Sequence, residues 1–128
     1  MGKVMVLGTG LVGGWVADRL AVEGHDVIGV DTTASALEGR NPKVLCIHES
    51  AEIELLGKYA PDVIVNALPG RVGDRIRVDL VMQGLAVADL AFTAEDPREH
   101  DELAIKAGAC LVYDVGVAPG LSNLLLAE

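Results

Sequence analysis

The residues best spaced for chemistry lie near the start of the chain. Gly8-Thr9-Gly10-Leu11-Val12-Gly13 forms a GxGxxG segment between a Val-rich run and a helix-like stretch. In that setting Gly8 permits a tight turn, Gly10 lets the backbone come close to a pyrophosphate, and Gly13 lets helix and strand pack closely. The pyrophosphate would rest on the helix N-terminus, whose unpaired N–H groups and dipole favour an anion. Asp31 lies 18 residues beyond Gly13, at the end of the second Val-rich run. A carboxylate there accepts hydrogen bonds from the adenosine ribose hydroxyls and repels a 2′-phosphate, so the expected cofactor is NAD rather than NADP. The next residues, Thr32-Thr33-Ala34-Ser35, include no Arg or Lys to clamp a second phosphate.

Three later segments end apolar runs: Asn66-Ala67-Leu68-Pro69-Gly70, Val87-Ala88-Asp89-Leu90-Ala91-Phe92, and Asp114-Val115-Gly116-Val117-Ala118-Pro119-Gly120-Leu121-Ser122-Asn123. Each falls at the carboxyl end of an expected strand, beside the crevice that would receive the nicotinamide half of a cofactor. Asp89 and Asp114 have structural readings too, as a helix cap and as the anchor of a turn. Arg71 and Arg75, spaced i to i+4, either bind a substrate carboxylate or sit on a solvated helix face. His48 either borders the adenine or is a solvated loop residue, and His25 and His100 read as surface residues. Cys46 and Cys110 lie inside apolar runs with no CxxC and no His at ligand spacing, so both are expected as buried small hydrophobes and no metal site is expected.

The elements that must position these groups can be read from the hydrophobic pattern. Continuous apolar runs at Lys3 to Leu7, Asp26 to Asp31, Lys43 to Ile47, Asp62 to Ala67, Leu85 to Asp89 and Ala109 to Val115 read as strands covered on both faces, the condition inside a parallel sheet. Between them, Val12 to Glu23 places Val12, Val16 and Leu20 on one stripe and ends at Gly24. Ala51 to Tyr59 and Arg71 to Gln83 are further helices, and Asp96-Pro97-Arg98-Glu99 opens a fifth with an N-cap and a proline at its first position. The stretch from Thr32 to Pro42 has room for a short helix. Six strands joined in this way predict an α/β fold, a doubly wound parallel sheet of the Rossmann type with strand order 3-2-1-4-5-6 and a ligand crevice between strands 1 and 4.

Composition narrows the functional classes. With 128 residues, 51% of them hydrophobic, the chain suits one well-packed domain rather than a disordered or fibrous segment. A net charge of -9 argues against a nucleic-acid or anionic-membrane binder, since either needs surplus Lys and Arg on one face. The longest uncharged stretch, Val4 to Ala17, is too short and too rich in glycine to span a bilayer, and no small-residue cleavage site comes after it. The expectation is a cytoplasmic protein.

Taken together, the GxGxxG turn, the Ala67-Leu68-Pro69 segment, the aspartate of strand 5 and above all DxGxAPGxSN resemble the saccharopine dehydrogenase-like family, which includes lysine 6-dehydrogenase. The resemblance runs from Lys3 to Leu126. It implies a nucleotide-binding Rossmann domain over residues 1–128, the N-terminal part of a longer oxidoreductase with a separate catalytic domain. By that resemblance Gly8, Thr9, Gly10, Leu11, Val12 and Asp31 contact the adenosine diphosphate half, Ala67, Leu68 and Pro69 the nicotinamide side, and Asp89 and Asp114 border the reaction site. It further implies NAD-dependent oxidation at the CH–NH bond of an amino acid, in a protein that is a homo-oligomer at full length. The 128 residues offer no obvious acid or base, so cofactor binding without turnover is expected of them. The chain departs from the family where His48 and Val87-Ala88 replace an acidic residue and an aromatic. The alternative is a regulatory NAD(H)-sensing domain of a potassium-transport protein, which shares the glycine turn and the acid after strand 2 but leaves DVGVAPGLSN unexplained.

Overall fold

The structure is a computed structural model that describes residues 1–127. Its strands are β1 (Lys3–Leu7), β2 (Asp26–Asp31), β3 (Val44–His48), β4 (Val63–Asn66), β5 (Ala86–Asp89) and β6 (Cys110–Val112). They form one sheet in the order β3-β2-β1-β4-β5-β6, parallel throughout. The crossover helices are α1 (Leu11–Val22), α2 (Ala34–Leu37), α3 (Ile53–Tyr59), α4 (Gly70–Met82) and α5 (Asp101–Ala107), and α6 (Ser122–Leu126) comes after the last strand. This is the doubly wound arrangement expected from the sequence, with the order reversing between β1 and β4. Before α5 the expected cap is present: Asp96 accepts the Arg98 N–H and Pro97 opens a 3-10 turn over Pro97–His100. Among the described residues no helix is long and apolar enough to cross a membrane.

Alternation along β1 divides the core between the two faces of the sheet. Val4 and Val6 pack with Val27, Val65 and the α1 residues Ala17 and Ala21. Met5 and Leu7 point the other way, into a cluster with Ile28, Val30, Ile64 and residues of α3 and α4 such as Leu55, Ile76 and Leu80. Each large side chain buried there contributes about 1.5–3 kcal/mol. The face α1 turns to the sheet is made of small residues, Gly13, Gly14, Ala17 and Ala21, so its axis comes close to the strands and its N-terminus sits directly over the end of β1.

Two expectations fail at the sheet margins. Cys46 and Cys110 are exposed, not buried. Both stand on the outermost strands, β3 and β6, and β3 is faced by an α2 of only four residues, so Leu45 is 50% exposed. β6 is also shorter than its apolar run, since Tyr113, Asp114 and Val115 leave the sheet and begin a loop. An apolar run reports that a strand exists but not whether it lies at the centre or the edge. His25 and His100 are partly exposed, and His25 Nδ1 accepts the Gly2 N–H at 3.4 Å.

Candidate functional site: the crevice between β1 and β4

The turn after β1 is built by two glycines with a structural reason to be glycine. Gly8 has φ +85°, donates its N–H to the Val30 carbonyl at 2.9 Å, and a Cβ on it would stand 2.8 Å from the Ala67 carbonyl oxygen. A Cβ on Gly13 would collide with the Gly8 carbonyl oxygen and lie 2.9 Å from Ala67 Cβ. These contacts hold β1, α1 and the end of β4 together at one point, so any other residue at either position would push them apart.

Gly10 is different. It is the N-cap of α1, its φ of −64° is open to any residue, and a Cβ there would meet nothing within 4 Å. Neither backbone conformation nor packing requires a glycine at this position. The helix that starts here has no side-chain cap and no acidic residue in its first turn, and Leu11 and Val12 are exposed at 95% and 57%. The first N–H groups of α1 are therefore free to bind an anion that comes close to Gly10.

Asp31 stands beside this turn at the end of β2. Its Oδ2 accepts the Thr9 N–H at 2.8 Å and, more weakly, the Thr9 hydroxyl at 3.4 Å, while Oδ1 accepts the Thr33 N–H at 2.8 Å. Thr9 itself is 1% exposed, so its hydroxyl serves the carboxylate and not solvent. A carboxylate has about four acceptor positions, so Asp31 is oriented by the backbone and keeps capacity for a further donor. Ala67, Leu68 and Pro69 form the opposite bank: Ala67 donates its N–H to the Leu7 carbonyl at 2.9 Å, and Pro69 is the N-cap of α4.

Gly8, Gly10, Asp31, Ala67, Leu68 and Pro69 line one cleft of about 580 Å³. It opens at the carboxyl ends of the strands where their order reverses, the place at which open parallel sheets bind ligands. Thr9, Gly10 and Leu11 also border a neighbouring cavity of about 500 Å³ with Trp15, Ser35 and Arg40. Val12 and Gly13, in the first turn of α1, are not among the residues that line either cavity.

The structure separates the two aspartates expected at the reaction side. Asp89 is 0% exposed and does not reach the crevice. It is the acceptor centre of a buried network that takes the Arg77 Nε–H, the Asn66 amide at 3.2 Å and the Ala91 N–H at 2.8 Å. Arg77, which belongs to none of the sequence motifs, sits on the buried stripe of α4 with Gly73, Ile76 and Leu80, and it also reaches Asp74 at 2.9 Å and the Thr93 hydroxyl at 3.3 Å. An arginine on an apolar stripe was the available signal, since a buried guanidinium demands a carboxylate partner. The role left to Asp89 is to tie β4, β5 and α4 together. Asp114 is exposed, with φ +55°, and lines a small pocket of about 110 Å³ with Phe92 and Pro119. The loop after it closes on itself through Leu121 N–H to the Gly116 carbonyl at 2.9 Å.

His48 is exposed, pairs with the Thr32 carbonyl at 3.0 Å through Nε2, and is absent from the cleft lining. The residues after it do line the cleft: Glu49, Ser50, Ala51 and Glu52. Of the two arginines of α4, Arg75 lines the cleft and Arg71 does not. Among the described residues no cluster of three or more metal-ligating side chains occurs.

No family model matches the chain. Over 107 residues, 84% of its length, it is 29% identical to the UDP-glucose 6-dehydrogenase AglM of Haloferax volcanii, and it spans 22% of that relative. Among solved structures, the 3-hydroxyisobutyrate dehydrogenase of Mycobacterium tuberculosis superposes with a TM-score of 0.70 at 24% identity, covering 88% of this chain and 40% of that one. RSP in complex with β-NADH superposes with a TM-score of 0.65 at 16% identity, covering 95% of this chain and 56% of that one. These likenesses establish the fold as Rossmann-like.

Proposed function

We propose that this chain is an NAD-binding domain of a dehydrogenase, and that the enzyme is an amino-acid oxidoreductase of the saccharopine dehydrogenase-like kind acting at a CH–NH bond. One observation carries the cofactor reading. Gly10 is a glycine that the fold does not need, at the open start of an uncapped helix, facing the cleft that Asp31 borders. A ligand that must come within backbone distance of that turn accounts for it. The relatives that share the fold include UDP-glucose and 3-hydroxyisobutyrate dehydrogenases, and one was solved with NADH, which supports a dehydrogenase. The narrower amino-acid reading rests on the DxGxAPGxSN segment and on Asp114 at the far end of the sheet.

The residues present fit the cofactor. Gly10, Leu11 and Val12 would hold the pyrophosphate against the α1 N–H groups, Thr9 would serve the adenosine diphosphate half through the Asp31 carboxylate it binds, Asp31 would accept from the ribose hydroxyls, and Ala67, Leu68 and Pro69 would flank the nicotinamide. Bound NAD supplies a hydride acceptor. The chain's part is to orient it: the Thr9 and Thr33 N–H groups hold the Asp31 carboxylate in place before the ligand arrives. The acid, base and amino-acid pocket would come from a further part of the protein, so this chain alone binds NAD without forming NADH from lysine or saccharopine.

Titration calorimetry with NAD and NADP tests the reading. A charge-assisted hydrogen bond from Asp31 contributes roughly 1.5–3 kcal/mol, so NAD should bind about ten-fold or more tightly than NADP. Equal affinity would remove Asp31 from the ribose. An absence of binding to either would overturn the cofactor reading.

A further inference from the structure

The cleft that Asp31 borders is lined by further elements. They include Val30, Thr32 and Ala51 from the β2 and β3 side, and Val72 and Arg75 from α4. Val72 and Arg75 are three residues apart on one helix and so share a face. That face is turned away from the buried stripe of Gly73, Ile76 and Leu80.

Arg75 is the one basic side chain among the residues that line this cleft, and Asp31, Glu49 and Glu52 line it too. Among the described residues neither Arg71 nor Arg75 makes an ion pair or side-chain hydrogen bond, whereas Arg19, Arg40, Arg77 and Arg98 each have a carboxylate partner, and of the two unpaired arginines only Arg75 lines the cleft. An exposed arginine beside a half-exposed Val72, in a cleft that Val30, Ala36 and Ala51 also line, offers a flat guanidinium to the cavity. The carboxylates around it make this section unfavourable for a further phosphate. A planar, uncharged aromatic ring suits it, since a guanidinium stacks on a ring face and the aliphatic neighbours bury the ring edges.

We propose that Arg75 is the adenine-stacking residue of the site, closing the ring against Val72 on the α4 side of the cleft. The inference rests on the dinucleotide reading and adds to it a residue that determines affinity for the base. It also reassigns Arg75, which the sequence alone left between a substrate carboxylate and bulk solvent. The ring lies beyond the ribose that Asp31 holds, so the guanidinium acts on the adenosine half and leaves the nicotinamide half untouched.

The test uses the whole chain as wild type, Arg75→Ala and Arg75→Lys, with NAD, ADP-ribose, adenosine and nicotinamide mononucleotide as ligands, measured by calorimetry and, for the weak ones, by saturation-transfer NMR. Arg75→Ala should weaken NAD, ADP-ribose and adenosine alike by about 3- to 30-fold, the range of a stacked cation, and leave nicotinamide mononucleotide unchanged. Arg75→Lys should recover only part of the loss, because an ammonium cannot lie flat on a ring. Thermal midpoints of both variants should match wild type, since Arg75 is exposed and bonded to nothing within the described chain. A loss for ADP-ribose with none for adenosine would assign the guanidinium to phosphate and overturn the stacking role. No change with any ligand in a wild type that does bind NAD would overturn it as well. A wild type that binds no NAD would overturn the parent reading instead.

Discussion

Replacing Asp89 by Ala should cost the chain a large part of its stability and none of its cofactor affinity. The carboxylate is 0% exposed, and it pairs with an Arg77 side chain that is 1% exposed. Removing it leaves the guanidinium buried with Asp74 as its remaining counter-charge, frees the Ala91 N–H, and leaves the Asn66 amide with the Gly73 carbonyl as its acceptor. Breaking one side of such a pair costs about 3–5 kcal/mol. Domains of this kind have about 5–15 kcal/mol in all, so the variant should sit close to its unfolding threshold. For a chain of this size the loss corresponds to a fall in Tm of roughly 10–25 °C. Asp89→Asn keeps an acceptor for the Ala91 N–H but not the charge, and should fall between the two. Urea unfolding monitored by far-ultraviolet circular dichroism is the suitable assay, because Trp15 is 66% exposed and would report poorly by fluorescence. A loss below about 1 kcal/mol, with NAD affinity of the folded protein reduced, would mean that Asp89 faces the ligand and that the buried network has been misjudged.

Gly13→Ala should destabilise the fold by at least about 1–3 kcal/mol in the same assay, since its Cβ would strike the Gly8 carbonyl. Gly10→Val should leave the unfolding midpoint near wild type and abolish NAD binding by calorimetry, because the added side chain meets only open cleft. Asp31→Asn should bring NAD and NADP affinities within a few-fold of each other by removing the charge that repels the 2′-phosphate. The Asp96 carboxyl, held down by the Arg98 side chain that bonds it, should titrate at about 2 rather than 3.8 by NMR. Its cap on the 3-10 turn is therefore fully present above the ordinary carboxylate pKa and lost only as pH falls through about 2.

How far a sequence reveals such a site depends on whether the deciding contacts are local. Gly8 to Gly13 and Asp31 were legible because a turn, a helix start and a strand end each mark themselves by residue type within a few positions. The parallel strand order could be inferred from apolar runs that alternate with helical stretches, the pattern of the doubly wound arrangement. The edge exposure of Cys46 and Cys110 was not legible, since an apolar run reads alike whether one or two neighbouring strands cover it. Asp89 was misplaced for a related reason. Its partner Arg77 lies 12 residues earlier on a helix whose apolar positions dominate its pattern, and only the packing of α4 on β5 brings them together. Glu49, Ser50 and Arg75 join the site only because two loops and a helix share one cleft.

The central claim is that the turn after β1 and the carboxylate after β2 together hold a dinucleotide. Amide NMR of the chain during titration with NADH tests it most directly, because every residue in question has its own N–H signal. Gly8, Thr9, Gly10, Leu11, Val12, Asp31 and Ala67 should shift together with one dissociation constant, while Asp89 and Arg77 in the buried network stay near their starting positions. Shifts confined to other surfaces, or none at saturating NADH, would contradict the claim.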